Sequence, residues 1–123
     1  MKPVTVAVAV PDPITSEALT ASLRSHFRVV LPVAEFTDTR PNVLKHRADV
    51  AVVDLESTPV GEIAALLEEF PALSLVCIHR LADDRLWSAA LSAGALDCCH
   101  PSDVRSIVMA VTRQGKLAQG HAA

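Results

Sequence analysis

The 123-residue chain carries a formal net charge of -3 at pH 7, with 50% of its residues hydrophobic and 20% charged. That length buries roughly two thirds of the unfolded surface in one core without disulfides or metal, and Lys and Arg scattered through an acidic total give no basic stripe for nucleic acid. The cysteines, Cys77, Cys98 and Cys99, are odd in number and lack C-x-x-C spacing, which argues for a reducing cytoplasmic compartment, and no apolar run is long enough to span a membrane.

Val4 to Val10 is a β-branched run closed by Pro11-Asp12-Pro13, and it reads as a strand rather than the apolar stretch of a signal peptide. Asp12 is then the N-cap and Pro13 the first residue of a helix expected over Ile14 to His26. Leu19, Leu23 and Phe27 mark its buried face, with Thr15, Ser16, Thr20 and Arg24 expected on the other. Arg28 to Val33 reads as a short edge strand, since it contains proline. Between Asp38 and Arg47 the pattern is interrupted by Pro41, and a short helix is expected with Val43 and Leu44 as anchors.

Ala48-Asp49-Val50-Ala51-Val52-Val53-Asp54 is an apolar β-branched run that ends on a carboxylate, the mark of a strand buried on both faces. Ligands in open α/β sheets meet the protein outside the carboxyl ends of the strands, which makes Asp54 a candidate site residue. The same position suits a carboxylate that caps the following turn, and the pattern alone leaves both readings open. Thr58 and Pro59 are expected as N-cap and first residue of the next helix, with Ile63, Leu66, Leu67 and Phe70 at i, i+3, i+4 and i+7 and Pro71 as its stop.

Leu73 to His79 reads as the fourth strand, followed by a polar turn from Arg80 to Asp84 and a helix carrying Trp87, Ala90 and Leu91 that ends at Gly94. Asp83-Asp84-Arg85 suits a solvated helix start, and Trp87 suits the core. Leu96 to His100 reads as a fifth strand, and Pro101-Ser102 opens a helix with Val104, Ile107, Val108 and Val111 on one stripe. The expected division is one domain over residues 1–114 and a flexible tail over 115–123. Strand and helix signals in alternation imply an α/β fold, a doubly wound parallel sheet with helices on both faces.

The opening strand running into Pro13-Ile14-Thr15-Ser16-Glu17-Ala18-Leu19, the strand ending Val53-Asp54-Leu55, and Ala82-Asp83-Asp84-Arg85 leading to Ser92-Ala93-Gly94-Ala95 together resemble the receiver domain of bacterial two-component response regulators. The resemblance implies a flavodoxin-like five-stranded sheet of order 2-1-3-4-5 and sets Asp54 at the phosphoacceptor position. It also implies an acidic pair for Mg²⁺ after the first strand, a hydroxyl after the fourth and a Lys after the fifth. Here those positions fall on Val10 and Pro11, with Asp12 beside them, on His79, and on His100. Asp12, Asp54 and Glu56 are the oxygen donors left for a cation, few for Mg²⁺, so no cofactor is expected. The aromatic switch residue of the fifth strand is missing, since the chain has no Tyr and neither Phe nor Trp lies there.

These departures point to an atypical stand-alone receiver, without enzymatic turnover, that acts as a protein-interaction module. Its expected partner is a protein, a histidine kinase or another signalling protein, or a second copy in a homodimer, with neither nucleic acid nor membrane. The resemblance gives the interaction face as the fourth helix, fifth strand and fifth helix, with Arg85, Ser88, Asp97, Arg105 and Arg113 as contributors. Two alternatives stay open. One is a working regulator phosphorylated on Asp54 by a histidine kinase. The other is a metal- or small-ligand-binding sensor using Asp54, His79 and His100, because Cys77 with His79 and Cys98 with His100 share strand faces at i and i+2. Against that sensor stands the ordinary burial of free thiols and the habit of strand-end histidines of binding backbone. If Asp54 faces His100, a carboxylate–imidazolium pair replaces the carboxylate–Lys pair.

Overall fold

The computed structural model describes residues 4–81 and 83–112. In chain order the elements are β1 (Thr5–Ala9), α1 (Pro13–Arg24), β2 (Val29–Val33), a 3-10 turn (Phe36–Asp38), α2 (Thr39–His46), β3 (Val50–Asp54), α3 (Val60–Glu69), β4 (Ser74–Ile78), α4 (Asp84–Ser92) and β5 (Asp97–Cys99). A last helix, α5, covers residues 104–112. The strands form one parallel sheet in the order β2-β1-β3-β4-β5, the flavodoxin-like arrangement expected.

The valine-rich strands are what this topology requires. β1 and β3 are paired on both edges and covered on both faces, so Val6, Ala7, Val8, Ala51, Val52 and Val53 are all fully buried. Because side chains alternate along each strand, the sheet splits the core into two layers. Ala7, Ala9, Ala51, Val53, Leu75, Cys77 and Cys98 face Val43, Ile63, Leu66 and Ala90 of the helices on one side. Val6, Val8, Val50, Val52, Val76, Ile78 and Cys99 face Leu19, Leu23, Ile107, Ala110 and Val111 on the other. Each fully buried Val, Leu or Ile side chain contributes about 1.5–3 kcal/mol relative to exposure.

Helix ends follow local chemistry. Asp12 caps α1 by accepting from the Thr15 N–H at 3.1 Å, with Pro13 just inside the helix. Asp83 caps α4 by accepting from the Leu86 N–H, and Gly94 follows with φ +116. The positive φ favours glycine there, and a Cβ, 3.0 Å from Leu67 Cδ1, would also press on the side chain of α3. At the opposite end of the sheet, the Asp49 carboxylate accepts from the Thr5 N–H at 2.9 Å and so continues the β1–β3 pairing with a side chain.

Four local expectations are corrected. Ser16 and Thr20 are buried rather than solvent-facing, because α1 rests on the sheet through a wide stripe that takes in both flanks of Leu19 and Leu23. Leu44 is 54% exposed, because α2 buries the face that carries Thr39 and Val43 at i and i+4 and Leu44 lies to one side of it. The N-cap of α3 is Pro59, with Thr58 buried beneath it. Finally, α5 starts after Asp103, whose carboxylate accepts from the Ser106 N–H and hydroxyl, and Pro101-Ser102 form the preceding turn. The tail expected over 115–123 lies outside the described residues.

Candidate functional site

The carboxyl ends of β1, β3 and β4 open on one side of the sheet, where a small pocket of about 30 Å³ is lined by Val10, Asp12, Thr15, Asp54, Glu56, Ile78, Arg80 and Pro101. Its floor is apolar. Val10 is 2% exposed and packs in the layer shared with α1 and α5, while the neighbouring Pro11 is exposed. The three carboxylates named from the sequence, Asp12, Asp54 and Glu56, all line this pocket.

Each carboxylate already has partners. Asp54, half-buried at the end of β3, accepts from the Glu56 N–H at 3.0 Å through Oδ1 and from the Ser57 hydroxyl at 3.1 Å through Oδ2. It therefore closes the turn after its strand as well as facing the pocket. Asp12 accepts from the N–H and hydroxyl of Thr15, and these hydrogen bonds hold its carboxyl below the usual carboxylate range. Glu56 takes a two-point contact from Arg80, Nε at 3.0 Å and one terminal nitrogen at 3.2 Å, which lowers its carboxyl in turn. The same pair raises the Arg80 guanidinium above its ordinary value, and Asp12 and Asp54 add to that effect.

His79 and His100 directly follow β4 and β5 at the carboxyl edge of the sheet, as expected, but their rings bind locally. His79 is buried, its N–H donating to the Cys99 carbonyl in line with the sheet and its Nδ1 accepting from the Leu81 N–H at 2.9 Å. His100 is exposed, its Nδ1 accepting from the Ser102 N–H at 3.1 Å and facing the Ser102 hydroxyl at 2.7 Å. Neither imidazole lines the Asp54 pocket, and among the described residues no Asp54–His100 ion pair forms. In both cases a backbone N–H two residues on captures the ring nitrogen and turns it toward its own loop. Cys77 and Cys98 do stand side by side in one core layer, but away from the carboxylates. Among the described residues no three His, Cys, Asp or Glu side chains are disposed to hold a metal ion together.

Arg80 is the site residue that sequence reasoning missed. It sat in what looked like a solvated turn, yet it lies just beyond the end of β4, so the strand-end rule that singled out Asp54 applies to it equally. Of the expected interaction face, Arg85, Ser88 and Arg105 are exposed, while Asp97 is half-buried and its Oδ1 accepts from the Cys98 N–H at 2.8 Å. Arg113 lies outside the described residues. Leu91 of α4 and Met109 of α5 add exposed apolar surface, at 47% and 55%. Among the described residues no helix is long and apolar enough to cross a membrane.

No protein-family model matches the chain, and no curated protein matches it. Solved structures do. A response regulator from Thermotoga maritima superposes with TM-score 0.81 at 21% identity, covering 91% of this chain and 97% of that one. The isolated REC domain of RcsB from Salmonella enterica serovar Typhimurium, studied with phosphomimetic BeF3-, gives 0.77 at 21% identity over 91% and 90%. The fold is that of a response-regulator receiver domain. Against a longer RcsB response-regulator chain from Salmonella typhimurium, the receiver fold seen here covers 98% of this chain and 62% of that one, with TM-score 0.74 and 23% identity. The order β2-β1-β3-β4-β5, with Asp54 at the carboxyl end of its central strand, is thus a receiver arrangement in a chain of divergent sequence.

Proposed function

We propose that this receiver-fold chain is an atypical protein-interaction module of bacterial signal transduction that works without phosphorylation of Asp54. The observation that carries the reading is Val10. Where the receiver resemblance calls for an acidic pair to hold Mg²⁺, Val10 is 2% exposed inside an apolar layer and Pro11 offers no carboxylate. With Arg80 in place the residues present do not fit the cation: Asp12 is hydrogen-bonded at the start of α1, Glu56 is held by Arg80 and Asp54 by its own turn. The carboxylates that line the pocket are thus already hydrogen-bonded, whereas Mg²⁺ demands near-octahedral oxygen ligation.

In this reading Asp54 keeps a structural role, and the chain communicates through contact. The proposed docking face is α4, β5 and α5, which carry the exposed Arg85, Ser88 and Arg105, the half-buried Asp97 and the exposed apolar Leu91 and Met109, and the proposed occupant is a signalling protein such as a histidine kinase or a second copy of the chain. Incubation with acetyl phosphate and Mg²⁺, followed by intact-protein mass spectrometry, is expected to give no phosphoprotein. Stoichiometric labelling that disappears in Asp54→Asn would establish the phosphoacceptor function instead.

A further inference from the structure

We propose that Arg80 is a built-in counter-cation of the Asp54 pocket: its guanidinium, clamped on Glu56 beside Asp12 and Asp54, fills the place a divalent cation would need and keeps such a cation out. The inference deepens the reading above and rests on it, and its test is separate.

Three carboxylates around one small pocket repel one another unless a positive charge stands among them. Arg80 is the basic side chain lining that pocket. Two of its N–H groups hold Glu56, at 3.0 and 3.2 Å, and a guanidinium has five donors in a rigid fork, so others remain for the mouth of the pocket. The Arg80 side chain is 68% exposed and that of Glu56 29%, so the arginine lies across the carboxylate from the solvent side. An exposed pair of this kind adds little to fold stability. Its effect is local: an incoming divalent cation meets a fixed positive charge and finds the Glu56 oxygens already taken. To bind, it must break both Arg80–Glu56 hydrogen bonds and overcome repulsion by the guanidinium.

The proposal predicts a gain of function on removing the arginine. Mn²⁺ is titrated into wild type, Arg80→Ala, Arg80→Gln, Arg80→Lys and the double variant Arg80→Ala/Asp54→Asn, with binding read by water-proton relaxation and folding checked by circular dichroism. Wild type and Arg80→Lys, which keep the positive charge, are expected to show no saturable binding. Arg80→Ala and Arg80→Gln are expected to bind saturably, roughly tenfold or more above wild type, since a like charge a few ångströms from the ion has gone. Adding Asp54→Asn should abolish that gain, which locates the ion in this pocket. Wild type binding Mn²⁺ as tightly as Arg80→Ala would overturn the proposal, as would absence of binding in both neutral variants. Neither result produces phosphoprotein, so failure of the counter-cation role is distinguishable from failure of the functional reading, which only acetyl phosphate labelling of Asp54 in wild type would bring.

Discussion

Cys77 of β4 stands directly opposite Cys98 of β5 in the parallel register, and both thiols lie in the same core layer, whereas Cys99 turns into the other. Their interaction, ahead of burial, pushes the Cys77 thiol far above its ordinary value and lowers that of Cys98. Burial, helped by the Asp97 charge, pushes the Cys99 thiol up to about 12. Since the thiolate is the nucleophile, the three cysteines should separate kinetically. Under iodoacetamide at mildly alkaline pH, peptide mass spectrometry is expected to find Cys98 modified first in the native protein, with Cys77 and Cys99 following only on unfolding. Equal rates at all three positions would show that the two-layer packing does not shield them as described.

The two core layers also set the cost of side-chain deletion. Ile107 is fully buried between α5 and the sheet, so Ile107→Ala should destabilise the fold by about 2–5 kcal/mol through lost transfer energy plus the cavity left behind. Leu44, 54% exposed on α2, has no such layer around it, and Leu44→Ala should change stability by no more than about 0.5 kcal/mol. Urea unfolding of both variants checks the contrast. A loss at Leu44 comparable to that at Ile107 would mean that α2 packs through a face other than the Val43 face.

The same contrast marks what could be read from the residues and what could not. Strand and helix identities were legible because the β-branched runs, the Asp12-Pro13 start and the Gly94 stop act through a few neighbouring residues. The order of the strands depended on the resemblance, since alternation alone implies a parallel sheet without fixing which strand lies beside which. At the site, Asp12, Asp54 and Glu56 were legible as carboxylates near strand ends, and they do share a pocket. Arg80 was hidden because a charged residue in a polar turn looks solvated until the fold brings Glu56, 24 positions earlier, within reach. At His100 the strand-end position was legible but the partner of its ring was not: the Ser102 N–H lies close enough to take Nδ1. Ser16 and Thr20 show the limit of assigning helix faces by polarity, because small hydroxyl side chains are tolerated against a sheet where larger polar groups are not.

Asp12 provides a pH-dependent test of the link between the cap and the site. Its carboxylate holds the Thr15 N–H and hydroxyl at the start of α1, and these hydrogen bonds lower its folded-state pKa below the ordinary 3.8. For an acid whose pKa is depressed on folding, the unfolded chain binds the proton more readily, so stability rises with pH across that interval. The contribution is therefore fully present above the unfolded value and is lost as pH falls through the folded one. Asn caps a helix about as well as Asp but carries no titrating charge. Asp12→Asn is expected to match wild type closely near neutral pH while losing less stability on acidification below pH 3.8. Asp12→Ala, which removes the cap itself, should be less stable than both at neutral pH and should approach protonated wild type at low pH. Thermal unfolding of the three proteins across the acid range reads the difference directly, and parallel acid profiles for Asp12→Asn and wild type would show that the Asp12 charge is not coupled to folding.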